Sequence, residues 1–139
     1  MSKARRVIAG LGKTGLSYAK FLTAQKLEFE VLEDNLTAGQ MSQLNRIKKG
    51  VKVSSLSDHS LLDVSEIYLS PGVPKFKKCI DQALKNGAQI ISDIKIFFDR
   101  ARCPVVAITG TNGKSTVSEL VSLSLSHHYK NILLAGNIG

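Results

Sequence analysis

Val-Ile-Ala-Gly-Leu-Gly-Lys-Thr-Gly, at residues 7–15, predicts an apolar strand that runs through a glycine-rich turn into a helix. Gly10 permits the tight turn, Gly12 lets a phosphate approach the backbone, and Gly15 allows the helix to pack closely on the strand. A helix that begins at such a turn presents free backbone N–H groups to an anion. The stretch therefore predicts the first βα unit of a parallel sheet, with an anion-binding loop where its strand ends.

Strands and helices continue to alternate after this unit. Apolar runs of strand length recur at 29–32, 51–53, 67–69 and 89–92. Helical spacing of apolar residues predicts helices at 16–25, 37–47, 76–84 and 93–102. Thr37 and Gln40 predict a capping box at the start of the second helix. The alternation predicts the α/β class, as a Rossmann-like open parallel sheet with helices on both faces.

Two further segments are predicted to lie at the ligand-binding edge of this sheet. Glu33 and Asp34 follow the second strand, 18 and 19 positions past Gly15, where a carboxylate commonly binds a ribose. The segment Ser70-Pro71-Gly72 follows the fourth strand, and its Pro-Gly pair suits the centre of a type II turn with N–H groups free for an anion. A NAD(P)-binding Rossmann module remains an alternative on these features alone.

A second glycine-rich loop follows the apolar run at 104–108. Its backbone N–H groups suit phosphate oxygens, its lysine adds a cation, and its hydroxyls suit Mg²⁺, so it predicts an ATP site. The general P-loop pattern would need glycine where the chain has Ile108. Strands at 105–109 and 132–135 and a helix at 115–128 are predicted around it. The residues assigned to ATP are Gly110, Thr111, Asn112, Gly113, Lys114, Ser115 and Thr116.

The domain boundary is predicted near residues 102–104. Residues 1–102 contain a complete five-strand unit, whereas residues 103–139 are too few to close a core of their own. We expect the second segment to be the incomplete start of a P-loop-type central domain. Its strands would then have unpaired edges, through which the chain could associate with another copy of itself.

Composition excludes several other classes of protein. Cys79 and Cys103 are isolated, which argues against a metal cage or a disulfide framework. The net charge of +8 comes from lysines and arginines scattered through the helices, without an aromatic stacking platform, so a nucleic-acid partner is not expected. No apolar run has the length of a membrane span, and no leader segment is evident, so a cytoplasmic location is expected.

Five motifs in their order resemble the Mur ligases. They are Gly-Leu-Gly-x-Thr-Gly-Leu-Ser at 10–17, Ser-Pro-Gly-Val at 70–73, Ser-Asp-Ile at 92–94, Val-Ala-Ile-Thr-Gly-Thr-Asn-Gly-Lys-Ser-Thr-Val at 106–117 and Gly-Asn-Ile-Gly at 136–139. Another amino-acid ligase, such as folylpolyglutamate synthase, is the alternative within this class. The resemblance implies an ADP-forming ligase of peptidoglycan precursor synthesis that uses ATP and Mg²⁺.

The resemblance also implies substrates and residue roles. D-glutamate would be joined to UDP-N-acetylmuramoyl-L-alanine through an acyl phosphate. Lys114 would be catalytic by neutralising the β- and γ-phosphates, and Ser115 would ligate Mg²⁺. The family's other catalytic groups lie beyond residue 139, so this fragment is expected to have no turnover. The residues implied to bind the UDP substrate are Gly12, Lys13, Thr14, Glu33, Asp34, Ser70, Pro71, Gly72 and Asn137.

Overall fold

A computed structural model describes residues 4–56, 61–74 and 78–136 of the chain. In these residues, strands and helices alternate until the end of the fourth helix, except that the third strand is followed by the fourth with no described helix between them. The strands are β1 (Arg5–Ala9), β2 (Glu30–Leu32), β3 (Val53–Ser54), β4 (Val64–Leu69) and β5 (Gln89–Ile91). The helices are α1 (Lys13–Ala24), α2 (Ala38–Ile47), α3 (Lys78–Lys85), α4 (Asp93–Arg100) and α5 (Lys114–Ser126).

The five strands form one sheet in the order β3-β2-β1-β4-β5, and every neighbouring pair is parallel. β1 lies in the centre, with Ala9 in register with Leu32 of β2 on one side and with Leu69 of β4 on the other. The chain therefore leaves the centre of the sheet in both directions, which is the Rossmann-like strand order. The predicted fold class is confirmed.

Side chains of β1 alternate between two hydrophobic cores, one on each face of the sheet. Val7 and Ala9 pack in the core that contains Ile80 of α3, whereas Ile8 packs in the core that contains Tyr18 of α1 and Leu44 of α2. Successive side chains of a strand point to opposite faces, so a continuous apolar run is what a strand covered on both sides requires. The helices accordingly cover both faces of the sheet, as predicted.

The chain divides into two compact units, residues 1–100 and 101–139. In the described part of the second unit, helix α5 is the one element of regular secondary structure. The segments 105–109 and 132–135 form no strand. The prediction of strands there is wrong for the structure. Apolar, β-branched sequence supplies strand propensity, but a strand also needs a neighbour to complete its ladder of hydrogen bonds. Several side chains of these segments are exposed instead, among them Val106 and Leu133.

Two smaller observations concern the whole described chain. Cys79 is half-buried and Cys103 is exposed, and both are free thiols. No helix among residues 4–56, 61–74 and 78–136 is long and apolar enough to cross a membrane.

Candidate functional site

The loops after β1 and β4 lie side by side at the carboxyl edge of the sheet. The Ser70 N–H donates to the Ala9 carbonyl at 2.9 Å, and the buried Ser70 hydroxyl donates to the Gly10 carbonyl at 2.8 Å. This edge, where the chain leaves the central strands in opposite directions, is where open α/β sheets bind their ligands. The structure therefore brings the two predicted glycine turns together.

Two glycines of the first loop are required by the fold itself. Gly10 has φ +87°, and a Cβ there would lie 2.7 Å from Val73 Cγ2. A Cβ on Gly15 would lie 2.0 Å from the Gly10 carbonyl oxygen. Both contacts are far inside van der Waals distance, so the predicted roles of Gly10 in the turn and of Gly15 in helix packing are confirmed.

Gly12 differs from these two glycines because, among the described residues, the space that its side chain would occupy is open. A Cβ at Gly12 would have no described heavy atom within 4 Å. Gly12 is the N-cap of α1, makes no side-chain capping bond, and the first turn of α1 contains no acidic residue. The N–H groups at the start of a helix have no partners within the helix and carry its positive dipole end. The start of α1 can therefore receive an anion.

Lys13 and Thr14, the other predicted residues at the start of α1, do not line the cleft that opens between the strand ends. Thr14 is half-buried in the first turn of the helix. Lys13 is exposed and lines a separate hollow of about 530 Å³ between α1 and α2, together with Lys20 and Arg46. Lys13 is thus placed next to the loop but is not among the residues that line the cleft between the strand ends.

Glu33 and Asp34 brace the loops around the edge of the sheet. Glu33 accepts the Leu11 N–H at 2.7 Å through Oε2 and the Asn35 N–H at 3.0 Å through Oε1. Asp34 Oδ1 accepts the Leu56 N–H at 2.8 Å. Carboxylates that accept backbone N–H groups make strong, charge-assisted bonds. Both carboxylates thus hold backbone segments of the protein in place. Their direct contact with a ligand stays a prediction.

Ser70, Pro71 and Gly72 form a turn that closes with a 3.0 Å hydrogen bond from the Val73 N–H to the Ser70 carbonyl. A type II turn requires positive φ at its third residue. Gly72 is not among the glycines with positive φ, so the predicted turn type is wrong. Pro71 and Gly72 are exposed, whereas the Ser70 side chain is committed to the Gly10 carbonyl.

A cleft of about 220 Å³ opens between these strand ends. Small-molecule sites generally measure roughly 300–1,000 Å³, so this cleft suits one part of a larger ligand. The motifs did not reveal its apolar wall, because single apolar residues after a strand carry no recognisable signal. Its lining residues are Gly10, Leu32, Glu33, Asp34, Asn35, Leu56, Gly72, Val73 and Pro74.

Two tyrosines support this edge from the α1 side of the sheet. The Tyr18 hydroxyl lies 3.4 Å from the carbonyl of Leu69, the last residue of β4, and accepts the Asp93 N–H at 2.9 Å. The Tyr18 and Tyr68 rings pack edge to face at 5.5 Å. Burial raises the pKa of Tyr18, and burial followed by the hydrogen bond to Glu66 raises the pKa of Tyr68 to about 12. Both hydroxyls therefore stay neutral around pH 7.

The predicted ATP loop in the second unit leads into α5. Gly113 is the N-cap of α5 and has φ +72°, a left-handed conformation that favours glycine. Lys114 Nζ donates to the Gly110 carbonyl at 2.6 Å and to the Thr111 carbonyl at 3.3 Å. The residues Gly110, Thr111, Asn112, Gly113, Lys114, Ser115 and Thr116 are all exposed.

The remaining site predictions concern metal ligands and Asn137. No group of three or more His, Cys, Asp or Glu side chains that could hold a metal ion occurs in the part of the chain the structure describes. Ser115, the predicted Mg²⁺ ligand, lies in the first turn of α5. Asn137 lies outside the described residues.

The strand order and the glycine loop at the central strand ends define a Rossmann-like α/β domain. Residues 4–92 match the family described as Mur ligase MurD-like, N-terminal domain. The chain belongs to this family. The match covers the sheet and three of its helices and ends just before α4.

Curated relatives extend the similarity into the second unit. The chain is 36% identical over 135 residues to the UDP-N-acetylmuramoylalanine--D-glutamate ligase of Buchnera aphidicola subsp. Schizaphis graminum, covering 96% of this chain and 30% of the relative. It is 39% identical over 140 residues to the ligase of the same name from Saccharophagus degradans, covering 96% of this chain and 31% of the relative. The chain thus spans about a third of the length of these relatives.

Proposed function

We propose that this chain carries the UDP-binding part, and the first ATP-binding segment, of an ADP-forming ligase that joins D-glutamate to UDP-N-acetylmuramoyl-L-alanine. The named activity of the relatives supports the choice of reaction. Because the chain spans about a third of their length, the complete reaction is proposed for a protein of that length. For the chain itself, the proposed task is to hold the UDP portion of the substrate.

The observation that carries this proposal is the open start of α1 beside the cleft. Gly12 leaves the backbone accessible, and α1 begins without a capping side chain or an acid in its first turn. A diphosphate bound there would be stabilised by backbone N–H groups and by the helix dipole. The cleft, whose lining combines apolar side chains with the polar Glu33, Asp34 and Asn35, would take the uracil end. Lys13 and Thr14 would lie beside the phosphates, and Pro71 and Gly72 would close the opposite side.

The partners of Glu33 and the second glycine loop both bear on the alternative of a nicotinamide dinucleotide. In a dinucleotide site, the acid after the second strand binds the ribose hydroxyls. Here each carboxylate oxygen of Glu33 already accepts a backbone N–H, at 2.7 and 3.0 Å. The alternative would also leave the second glycine loop and its Lys114 without a role.

The loop at 110–116 is proposed to hold the phosphates of ATP. Its left-handed Gly113 and the uncapped start of α5 resemble the arrangement that wraps phosphate oxygens. Lys114 would move from the Gly110 and Thr111 carbonyls to the β- and γ-phosphates, and Ser115 would ligate Mg²⁺. Bound Mg²⁺ would neutralise charge that develops on the phosphates.

The proposed reaction consists of two displacements. A carboxylate oxygen of the L-alanine residue attacks the γ-phosphorus of ATP, and ADP leaves. The amine of D-glutamate then attacks the carbonyl carbon of the acyl phosphate, inorganic phosphate leaves, and the nitrogen loses a proton as the amide forms. Positioning and cationic groups dominate the catalysis of such phosphoryl transfer.

Calorimetric titration with UDP tests the site in this chain. Gly12→Val should abolish measurable binding, because the new side chain occupies the space through which the phosphates approach. Gly39→Val is the matched control, since the nearest described contact of a Cβ at Gly39 outside its own helix backbone is Thr37 Oγ1, at 4.0 Å. UDP affinity unchanged in Gly12→Val, or equally reduced in both variants, would contradict the assignment.

Lys114→Ala tests the ATP loop in a protein of the relatives' full length. Turnover should fall more than tenfold, about 1.4 kcal/mol or more in activation free energy, because the lysine stabilises charge in the transition state. Lys130→Ala removes the same charge from an exposed position in the same unit and should leave turnover near normal. Similar turnover in the two variants would remove Lys114 from the site.

A further inference from the structure

Two consecutive peptide groups of the first glycine loop are held by side chains from three other segments. The Gly10–Leu11 peptide is held at both ends, with its N–H bonded to Glu33 at 2.7 Å and its carbonyl to the Ser70 hydroxyl at 2.8 Å. The carbonyl of the Leu11–Gly12 peptide accepts a hydrogen bond from Gln40 Nε2 at 3.2 Å. The Leu11 side chain is fully buried in the hydrophobic core, and this packing also holds the loop in place.

Gln40 is also part of the capping box of α2. Its Oε1 accepts the Thr37 N–H at 2.8 Å, and its own N–H donates to Thr37 Oγ1 at 3.2 Å. The two ends of one side-chain amide therefore serve two purposes. The oxygen closes the cap of α2, and the nitrogen reaches Leu11, 29 positions earlier in the chain.

The bond to the Leu11 carbonyl also fixes the direction of the Gly12 N–H. No described peptide bond is cis, so the Leu11–Gly12 peptide is planar and trans, and its C=O and N–H point in opposite directions. With the carbonyl held toward α2, the Gly12 N–H must point away from α2. In the described residues this N–H donates to no other group, so it remains available to a ligand.

We propose that Gln40 is a positioning residue for the anion-binding loop, aiming the Gly12 N–H at the substrate's diphosphate by holding the Leu11 carbonyl. This inference rests on the proposed binding of UDP at the loop. It adds a residue from outside both glycine motifs and connects the start of α2 to the ligand site. The capping-box pattern predicts the bond to Thr37 but contains no signal for the bond to Leu11.

Three variants separate the bond of the Gln40 side chain to Leu11 from its bonds to Thr37. Gln40→Glu keeps an oxygen for the capping box but has no donor for the Leu11 carbonyl. Gln40→Met removes all the side-chain bonds of Gln40 without adding charge. Thr37→Ala removes the hydroxyl of the capping box and leaves the Gln40 amide able to reach Leu11, so it is the matched control for a weaker helix cap.

UDP affinity by calorimetry and thermal melting should respond differently to these variants. We expect both Gln40 variants to bind UDP about three- to tenfold more weakly, the effect of one lost hydrogen bond. Thr37→Ala should lower the melting temperature while UDP affinity stays within about twofold of the parent chain. Parent-like affinity in Gln40→Met, or an equal loss in Thr37→Ala, would overturn the proposal.

Amide hydrogen exchange in the ligand-free chain tests the same bond without UDP. The Leu11 N–H should exchange several-fold faster in both Gln40 variants than in Thr37→Ala, because the loop opens more readily when its carbonyl is released. Unchanged exchange at Leu11 would overturn the positioning role. If the parent chain does not bind UDP, the proposed function fails, and the exchange rates still decide whether Gln40 holds the loop.

Discussion

The two glycine loops of this chain share a local pattern and differ in their support. Each leads into a helix whose N-cap is a glycine without a capping side chain. The loop after β1 is held by Glu33, Gln40 and Ser70, which come from three separate segments. In the loop before α5, the described side-chain bonds are those of its own Lys114 to its own carbonyls.

This difference indicates how far each loop is organised before its ligand arrives. A loop held by other strands and helices has already lost the conformational freedom that binding would otherwise have to remove. A loop held only by its own lysine has not, and that lysine must exchange its partners when a phosphate binds. We therefore expect the first loop to bind in the chain as it stands, and the second loop to need further support.

The largest expected effect comes from Gly15→Ala, which attacks the support of the first loop directly. Its Cβ would lie 2.0 Å from the Gly10 carbonyl oxygen, so β1, its turn and α1 would have to move apart. We expect a loss of about 3 kcal/mol, a drop in melting temperature on the order of 10 °C or more.

Gly12→Ala is the control for this experiment, because its Cβ would meet no described atom within 4 Å. Its stability should stay within about 1 kcal/mol of the parent chain. Circular dichroism melting curves compare the two variants. Equal melting temperatures would mean that the close contact of α1 with the loop is not a constraint of the fold.

A smaller effect is expected from Glu33→Ala, which frees the Leu11 and Asn35 N–H groups. The loss in stability should be about 1–3 kcal/mol, the usual effect of removing a charged hydrogen-bond partner. UDP affinity should fall as well, because the loop loses part of its support.

Asp99→Ala provides the comparison for a carboxylate that braces no loop. Asp99 pairs with Lys95 one turn earlier on the exposed surface of α4, and such pairs contribute little. Chemical denaturation measures both losses. If Glu33→Ala costs no more than Asp99→Ala, the carboxylate of Glu33 does not organise the loop.

The smallest effect concerns alkaline pH and Tyr68 of β4, whose ring packs against Tyr18 of α1. The pKa of Tyr68 is raised to about 12, so the folded state holds this proton more tightly than the unfolded state does. Its contribution to stability is complete below about pH 10 and is lost as the pH rises from 10 through 12. Tyr68→Phe should flatten the decline in melting temperature over this range, and an unchanged slope would exclude Tyr68 as its source.

Patterns within one segment predicted most of the first unit. Apolar runs of strand length located the strands, their alternation with helices gave the fold class, and the Thr37–Gln40 spacing located the start of α2, where the structure has the predicted capping box. The observed boundaries of an element differ from the predicted ones where polar residues occupy its ends. Helix α1 begins at Lys13, three residues before the first apolar residue of its periodic face.

The sequence patterns could not predict interactions between segments that are distant along the chain. The sequence contains no sign that Glu33 and Gln40 hold the same residue, Leu11, because this depends on the register of β1 and β2 and on the direction in which α2 leaves the sheet. The predicted strands at 105–109 and 132–135 failed for the same reason. Local propensity cannot supply the neighbouring strand that pairing requires.

The most direct test of the contrast between the loops is an amide NMR titration of this chain with UDP. Our account predicts that the resonances of residues 10–14 and 72–73 shift in proportion to UDP bound, while those of residues 110–116 do not move. Shifts centred on residues 110–116, or an unchanged spectrum at residues 10–14 under saturating UDP, would contradict it.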